Sequence, residues 1–299
     1  MQITNELYQQ YKRLLFSIGY RMLGSVVEAE DLLHEVFLKA YQVEEDKIEN
    51  VKAYLCKMMT NRCIDSLKSS RYKREKYVGP WNPEPILFEE AHALDPFDNV
   101  LQKEGLSIAY LRMMEHLAPD ERAALLLREV FEFSYSEIAN VLEKKEDNCR
   151  KILSRAKQKI SGIESESLNF ENNKSIINRF IHAFEQQHMN ILLELLSENV
   201  TLYSDGGGKV KAAIRPIHSL PSVLAFLYGI AKKTSTDYYF EIKNVNGQPA
   251  MINYMNSNLH SVISFYIESN KINEFYIVMN PDKLRLQLVD DFFSPITEN

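Results

Sequence analysis

The sequence has little cysteine. Cys56, Cys63 and Cys149 are its only three in 299 residues, and none stands at metal-ligand spacing from another. That sets aside a disulfide framework and a zinc module, and leaves reduced cysteines that pack as small apolar side chains. Long apolar runs are missing too: nothing reaches the roughly eighteen residues of a membrane-spanning helix. The first residues, MQITNELYQQYKRLLF, mix charged, polar and apolar types and lack a secretory pattern. A cytoplasmic protein is therefore expected. Tryptophan is almost absent, with Trp81 alone, and proline and glycine number ten each. They are unevenly spread. The stretch YVGPWNPEP, from Tyr77, gathers Gly79, Pro80, Trp81, Pro83 and Pro85. Proline cannot continue a helix and holds the residue before it extended, so this stretch reads as a stiff connector.

The rest of the composition is ordinary, with 45% apolar and 25% charged residues and chain enough for two or three domains. The net charge of −6 argues against a nucleic-acid partner on average, but two segments reverse it. Lys52 to Lys76 holds eight basic residues against Asp65 and Glu75, and Lys144 to Lys159 holds seven against Glu146 and Asp147. One such run is ordinarily a solvated helix face. Two, each on its own predicted helix, point to phosphate binding.

Apolar residues recur at helical spacing through residues 5 to 76. Leu7, Tyr11, Leu14, Leu15, Ile18 and Met22 mark one helix, and Val26, Ala29, Leu32, Leu33, Val36, Phe37 and Ala40 a second. Ser25 with Glu28 fits a capping box at its start. A third helix runs through VKAYLCKMMTNRCIDSLKSSRYKREK. Further on, SEIANVL, a short turn and a basic amphipathic helix give a helix-turn-helix pattern, which reads either as a plain helical hairpin or as a DNA-binding unit. After Gly162 the texture changes: a linker, two helices, then strand patterns at VTLYSD, KAAIRPI, DYYFEIKNVNG, PAMINYM, NLHSVISFYIES and KINEFYIVMN, with one helix between them. Asn246-Gly247 and Ser269-Asn270 are turn signals. This order predicts an α+β domain with helices on one face of a curved sheet.

The segments AEDLLHEVFLKAY, AYLCKMMTNRCIDSLKSSRYKRE and SYSEIANVL…CRKILSRAK, in that order over residues 5 to 161, resemble a bacterial RNA polymerase sigma factor of the extracytoplasmic-function type. YVGPWNPEP, DGGGK (Asp205, Gly206, Gly207, Gly208, Lys209) and NPDKL (from Asn280, Pro281 and Asp282) resemble motifs of the subgroup with a fused SnoaL-like C-terminal domain. The resemblance implies two all-α sigma domains, the second a helix-turn-helix, and a C-terminal α+β, nuclear-transport-factor-like cone. The implied boundaries are 1–76, a linker 77–105, 106–162, a linker 163–170, 171–286 and a tail 287–299. Asp31 and Glu35 would meet the coiled coil of the polymerase β′ subunit. Asn61, Arg62, Lys68, Arg71, Lys73 and Arg74 would serve the −10 element, with Tyr54 either a stacking platform or core. Arg150, Lys151, Arg155 and Lys157 would serve the −35 element in the major groove.

The sequence departs from the pattern at three places. Glu143 replaces the usual glycine of the turn, Lys145 the usual Ser or Thr cap, and Asn82 the usual leucine of the connector. Trp81, DGGGK and Asn280 to Asp282 would set how the C-terminal domain docks on the sigma domains. A lone core tryptophan and a simple glycine turn are the plainer readings. No catalysis, metal or cofactor is expected. The partners are core RNA polymerase and promoter DNA, with a small ligand of the C-terminal domain left open. The rivals are a SnoaL-like enzyme or ligand sensor using His182, His188 or Asp205, and a DNA-binding regulator that works without polymerase.

Overall fold

The computed structural model describes residues 5–43, 48, 50–74, 77–88, 106–160, 169–233 and 237–285. The acidic stretch from Glu89, linker residues 163–168 and the C-terminal tail lie outside them, while the last linker residues, 169 and 170, already cap and begin a helix. No described helix is long and apolar enough to cross a membrane.

Three helices open the chain: α1 (Asn5–Leu23), α2 (Val26–Ala40) and α3 (Val51–Arg74). The predicted stripe of α2 is its buried side, except that Leu32 is only half-buried. Its start differs from the expected capping box. Ser25 Oγ accepts from the Glu28 amide at 3.3 Å, but the returning carboxylate is Glu84, from the connector. Glu84 accepts from Ser25 Oγ at 2.7 Å and from the Val26 amide at 2.9 Å. A negative group at the positive end of a helix satisfies amides with no internal partner.

Four more helices follow: α4 (Ile108–Met114), α5 (Pro119–Leu125), α6 (Tyr135–Leu142) and α7 (Glu146–Ile160). Pro119 sits in the first turn of α5, where its missing amide costs nothing. A π-helical turn, Leu126–Val130, extends α5. These helices and α1 to α3 share one hydrophobic core, which runs from Leu15, Phe37 and Leu55 to Leu126, Ile138 and Leu153. Arg122, buried in α5, donates to the Met22 carbonyl at 2.5 Å.

The C-terminal domain comprises α8 (Phe170–Glu185), α9 (Met189–Leu195), β1 (Leu196–Asp205), β2 (Ile217–His218), α10 (Leu220–Ala231), β3 (Tyr238–Val245), β4 (Gln248–Met255), β5 (Asn258–Glu268) and β6 (Lys271–Val278). The sheet order is β2-β1-β6-β5-β4-β3, antiparallel except for β1 with β6. Both predicted turns have left-handed backbone, Asn246-Gly247 at φ 55° and 75° and Ser269-Asn270 at 52° and 58°. This is the geometry of a tight hairpin.

KAAIRPI is not a strand. Only Ile217–His218 pairs with β1. The Lys209 and Val210 amides turn back to the Gly206 carbonyl, and Pro216 has no amide to offer a sheet edge. Side chains alternate between the two faces of the sheet. One face packs with α8 and α10 around Phe265, Phe275 and Ile277. The other turns Tyr276, Tyr203 and Tyr266 towards Ile108 and Ala109 of α4.

Connector residues 77–88 hold no helix, as the prolines require. They pass between the helical core and this second sheet face. Asn246, in the β3–β4 turn, is a junction there. Its backbone amide donates to the Ile86 carbonyl at 2.9 Å, and its Oδ1 accepts from the Ile86 amide at 3.0 Å. Its Nδ2 donates to Tyr20 Oη at 2.7 Å and to the Leu106 carbonyl at 3.0 Å. Replacing this side chain strips partners from three buried groups in two helical units and the connector. Asn246→Ala is expected to cost about 3 kcal/mol, read as a lowered denaturant midpoint of the full chain.

Candidate nucleic-acid interface and the clamp behind it

The turn between α6 and α7 sets the recognition helix. Glu143 ends α6 with φ 53° and ψ 44°, a left-handed conformation that glycine adopts at no steric cost. Its carboxylate pairs with Lys57 of α3 at 3.1 Å, and Lys57 also donates to Asn140 Oδ1 at 3.4 Å. Lys145 precedes α7, and its carbonyl accepts from the Asn148 and Cys149 amides. A lysine side chain has no acceptor with which to cap. On α7, Cys149, Leu153 and Ala156 face the core, while Arg150, Lys151, Ser154 and Arg155 face solvent. The Arg150 guanidinium lies 4.0 Å over the Tyr135 ring, an arrangement that holds it near the helix start. Lys157 pairs with Glu129 at 2.9 Å and is thereby turned along the domain.

On the other helical unit, Asp31 is exposed and Glu35 half-exposed on α2. Glu35 takes Lys39 at 2.7 Å and Arg62 at 2.9 Å. The structure thus joins a residue expected to meet polymerase with one expected to meet the −10 element. Asn61 is half-buried and Lys68 exposed on α3. The side chains of Arg71, Lys73 and Arg74 lie outside the described residues. Tyr54 is half-buried against the helical core.

Behind these surfaces lies a buried polar cluster. Asp205, fully buried at the end of β1, accepts from Tyr77 Oη at 2.6 Å through one oxygen. Through the other it accepts from the Asn82 amide at 2.8 Å and from Lys283 Nζ at 2.8 Å. Lys283 also donates to the Asn82 carbonyl at 2.6 Å, and its ammonium sits 4.0 Å over the Trp81 ring. Burial pulls the Lys283 ammonium below its ordinary value, and Asp205 opposes that shift. Burial, and then the bond to Asp205, raises the Tyr77 phenol. Asn82 Nδ2 donates to the Ile277 carbonyl at 3.1 Å and reaches the Tyr203 carbonyl at 3.4 Å. The polar departure from the connector motif is therefore spent on the sheet.

Trp81 touches every unit. Its ring covers Gly24, whose φ is 68°, so closely that a Cβ there would fall 2.7 Å from the indole. Its carbonyl accepts from Arg112 of α4, which in turn lies 4.6 Å over Tyr203. DGGGK and NPDKL close the cluster. A Cβ on Gly207 would sit 2.3 Å from Asn280 Nδ2, which itself donates to Tyr77 Oη at 2.9 Å. Gly208 packs on Val78, Lys209 pairs with Asp282 at 2.5 Å, and Gly206 is buried beside them. Pro281 is exposed at the rim.

Trp81 and Asp205 stand out in the sequence and Asn246 marks a turn there, but nothing marks Tyr77, Glu84, Arg112 and Lys283 as partners in the cluster. Lys283 was within a quoted motif. Its place directly after a strand rich in buried apolar residues was the available signal. His182 and His188 meet edge to face, ring centroids 6.5 Å apart, on the exposed side of α8 and α9, while Asp205 is buried against the connector, so the enzymatic rival's three residues do not form one site.

Comparison with known proteins bears on the same units. Residues 7–72 match sigma-70 region 2 and residues 107–160 match sigma-70 region 4. The chain is 26% identical over 293 residues to the extracytoplasmic-function RNA polymerase sigma factor SigJ of Mycobacterium tuberculosis, covering 92% of this chain and 91% of that one. It is 25% identical over 295 residues to the probable sigma factor SigI of the same species, covering 94% and 96%. The crystal structure of SigJ superposes with a TM-score of 0.75 at 23% identity, over 94% of this chain and 98% of that one. Two helical units with these motifs, joined to a sheet domain, define an RNA polymerase sigma factor. Within that class the chain is similar over more than nine-tenths of its length, C-terminal sheet domain included, to extracytoplasmic-function sigma factors of the SigJ type. Such proteins bind core RNA polymerase and promoter DNA and are not enzymes.

Breaking the buried pair on one side leaves an uncompensated charge. Asp205→Ala and Lys283→Met are each expected to cost about 3–5 kcal/mol, and the double variant less than their sum, in a denaturant double-mutant cycle. Glu84 gives a pH signature. Burial, partly offset by Ser25 and the Val26 amide, raises its pKa above the ordinary 4.5. Its contribution is full below that value and is lost as pH rises through the raised one. Melting temperatures of the wild type should therefore fall relative to Glu84→Gln as pH climbs from 4.5 towards neutrality.

Proposed function

We propose that this sigma factor rests in a closed state, with its two promoter-binding units held together by the C-terminal domain, and must open to initiate transcription. One observation carries the reading. Lys57 of α3, one helical turn before Asn61, touches Asn140 and Glu143 at the turn that leads into α7. The −10 and −35 elements are about 25 base pairs apart, roughly 85 Å along B-DNA at about 34 Å per turn. Units in side-chain contact cannot occupy both. The Asp205–Lys283 cluster ties the connector to the sheet, and α4 rests on the same sheet face, which favours the C-terminal domain as the brace.

In the open state Asp31 and Glu35 dock on the β′ coiled coil, Glu35 being released from Arg62. Asn61, Arg62 and Lys68, with Arg71, Lys73 and Arg74, engage the −10 element. Arg150 and Lys151, near the start of α7, read base edges of the −35 element, while Arg155 and Lys157 meet its backbone. Trp81, the DGGGK turn and Asn280 to Asp282 form the regulatory contact. The protein acts in the cytoplasm, where its polymerase is.

The test is promoter-specific transcription by bacterial core polymerase on the promoter region of the protein's own gene. Asp31→Arg with Glu35→Arg should lower core binding and initiation by roughly tenfold or more. The paired variant Lys57→Cys, Asn140→Cys should initiate freely until joined by a short bis-maleimide, and lose initiation once joined. The three native cysteines are buried and so spared. A joined protein that initiates as well as the unjoined one overturns the closed-state reading.

A further inference from the structure

The interior of the C-terminal cone takes no part in the contacts described so far. A cavity of about 480 Å³ opens there between α8, α10 and the inner face of the sheet. That volume suits a molecule of drug-like size. Its walls are aromatic and apolar: Phe180 and Phe184 from α8, Phe240 from β3, Met251 from β4, Phe265 from β5 and Phe275 from β6. The charged side chains that line it, Glu185 and Lys232, are solvent-exposed at its edge. An ionised guest would lose hydration inside and find no counter-charge, so the cavity selects a neutral one.

One polar row crosses this apolar lining. Tyr238 Oη donates to Asn253 Oδ1 at 2.7 Å, and Asn253 Nδ2 donates to Ser261 Oγ at 3.0 Å. Asn253 and Ser261 are almost wholly buried, at 2% and 5% exposure. The row runs in one direction and ends on Ser261, whose own hydroxyl proton has no acceptor among the described residues. A donor left over in an apolar cavity is matched by an acceptor on a guest. On the α10 wall the ring of Tyr228 stacks on Phe184 at 4.5 Å, and its buried hydroxyl has no partner among the described residues either. Stacked rings lining a cavity favour a flat aromatic guest.

We propose that this cavity is a binding site for a neutral aromatic molecule bearing a carbonyl-type acceptor, which Ser261 recognises. The proposal stands apart from the closed-state reading, since it rests on the opposite face of the sheet. The probe is prodan, a neutral naphthyl ketone whose emission shifts to the blue in apolar surroundings, titrated into the full chain. Saturable binding of one probe per chain with a blue shift is expected. Ile263→Trp, which fills the cavity from β5, should weaken it roughly tenfold or more. Ser261→Ala should weaken prodan about fivefold, the worth of one hydrogen bond, and leave the same naphthylamine without its ketone unaffected. Circular dichroism and melting curves establish that both variants are folded. Binding that does not saturate, or that survives Ile263→Trp in a folded protein, overturns the site. Equal loss of both probes on Ser261→Ala, or loss of neither, overturns the role given to the carbonyl.

Discussion

The arrangement of the three units depends on one buried ion pair with a strand of connector threaded through it. Asp205 and Lys283 would be costly to bury alone, and Coulomb attraction between them would barely recover the lost hydration. What makes the pair tenable is that the connector supplies the remaining partners. Both carboxylate oxygens are used, by Tyr77, the Asn82 amide and Lys283, and the ammonium is shared among Asp205, the Asn82 carbonyl and the Trp81 face. Withdraw the connector and the sheet is left with a poorly solvated pair. Withdraw the pair and the connector loses its anchor. Networks of this kind are worth more complete than the sum of their parts.

The rest of the path follows from that fixed point. Pro80, Pro83 and Pro85 keep the chain extended on either side of it, so Trp81 falls over Gly24 and Glu84 falls at the start of α2. Further along, Ile86 meets Asn246 and the Phe88 amide meets the Asn244 carbonyl at 3.0 Å. A flexible linker could have reached the same places only with a large loss of conformational freedom. The proline-rich sequence removes much of that loss in advance.

Much of this was legible in the sequence, for identifiable reasons. Helical periodicity located α1 to α3, α6 and α7, because each buries one continuous stripe. The turn dipeptides located the hairpins, because left-handed backbone is chemically restrictive. The connector was legible from its prolines, and Asp205 stood out beside three glycines. What escaped was long-range. Lys283 lies 78 residues from Asp205 and 201 from Asn82, and nothing local marks that pairing. Glu84 reads as one more surface acid until Ser25 is seen beside it, and Ser25 had a nearer glutamate to suggest itself. KAAIRPI misled because a short apolar run resembles a strand wherever it falls, and Pro216 was the warning against it.

The helical units do not merely touch; they share a single core. Leu55 and Met59 of α3 belong to the same apolar mass as Leu126 and Ile138. Pulling the units apart therefore uncovers oily surface on both, and water penalises each square ångström of it. An opened molecule alone in solution would be sticky and short-lived, prone to snap shut or to aggregate. Polymerase, on this view, is more than the destination of the opened form. By covering what opening lays bare, it also serves as that form's chaperone.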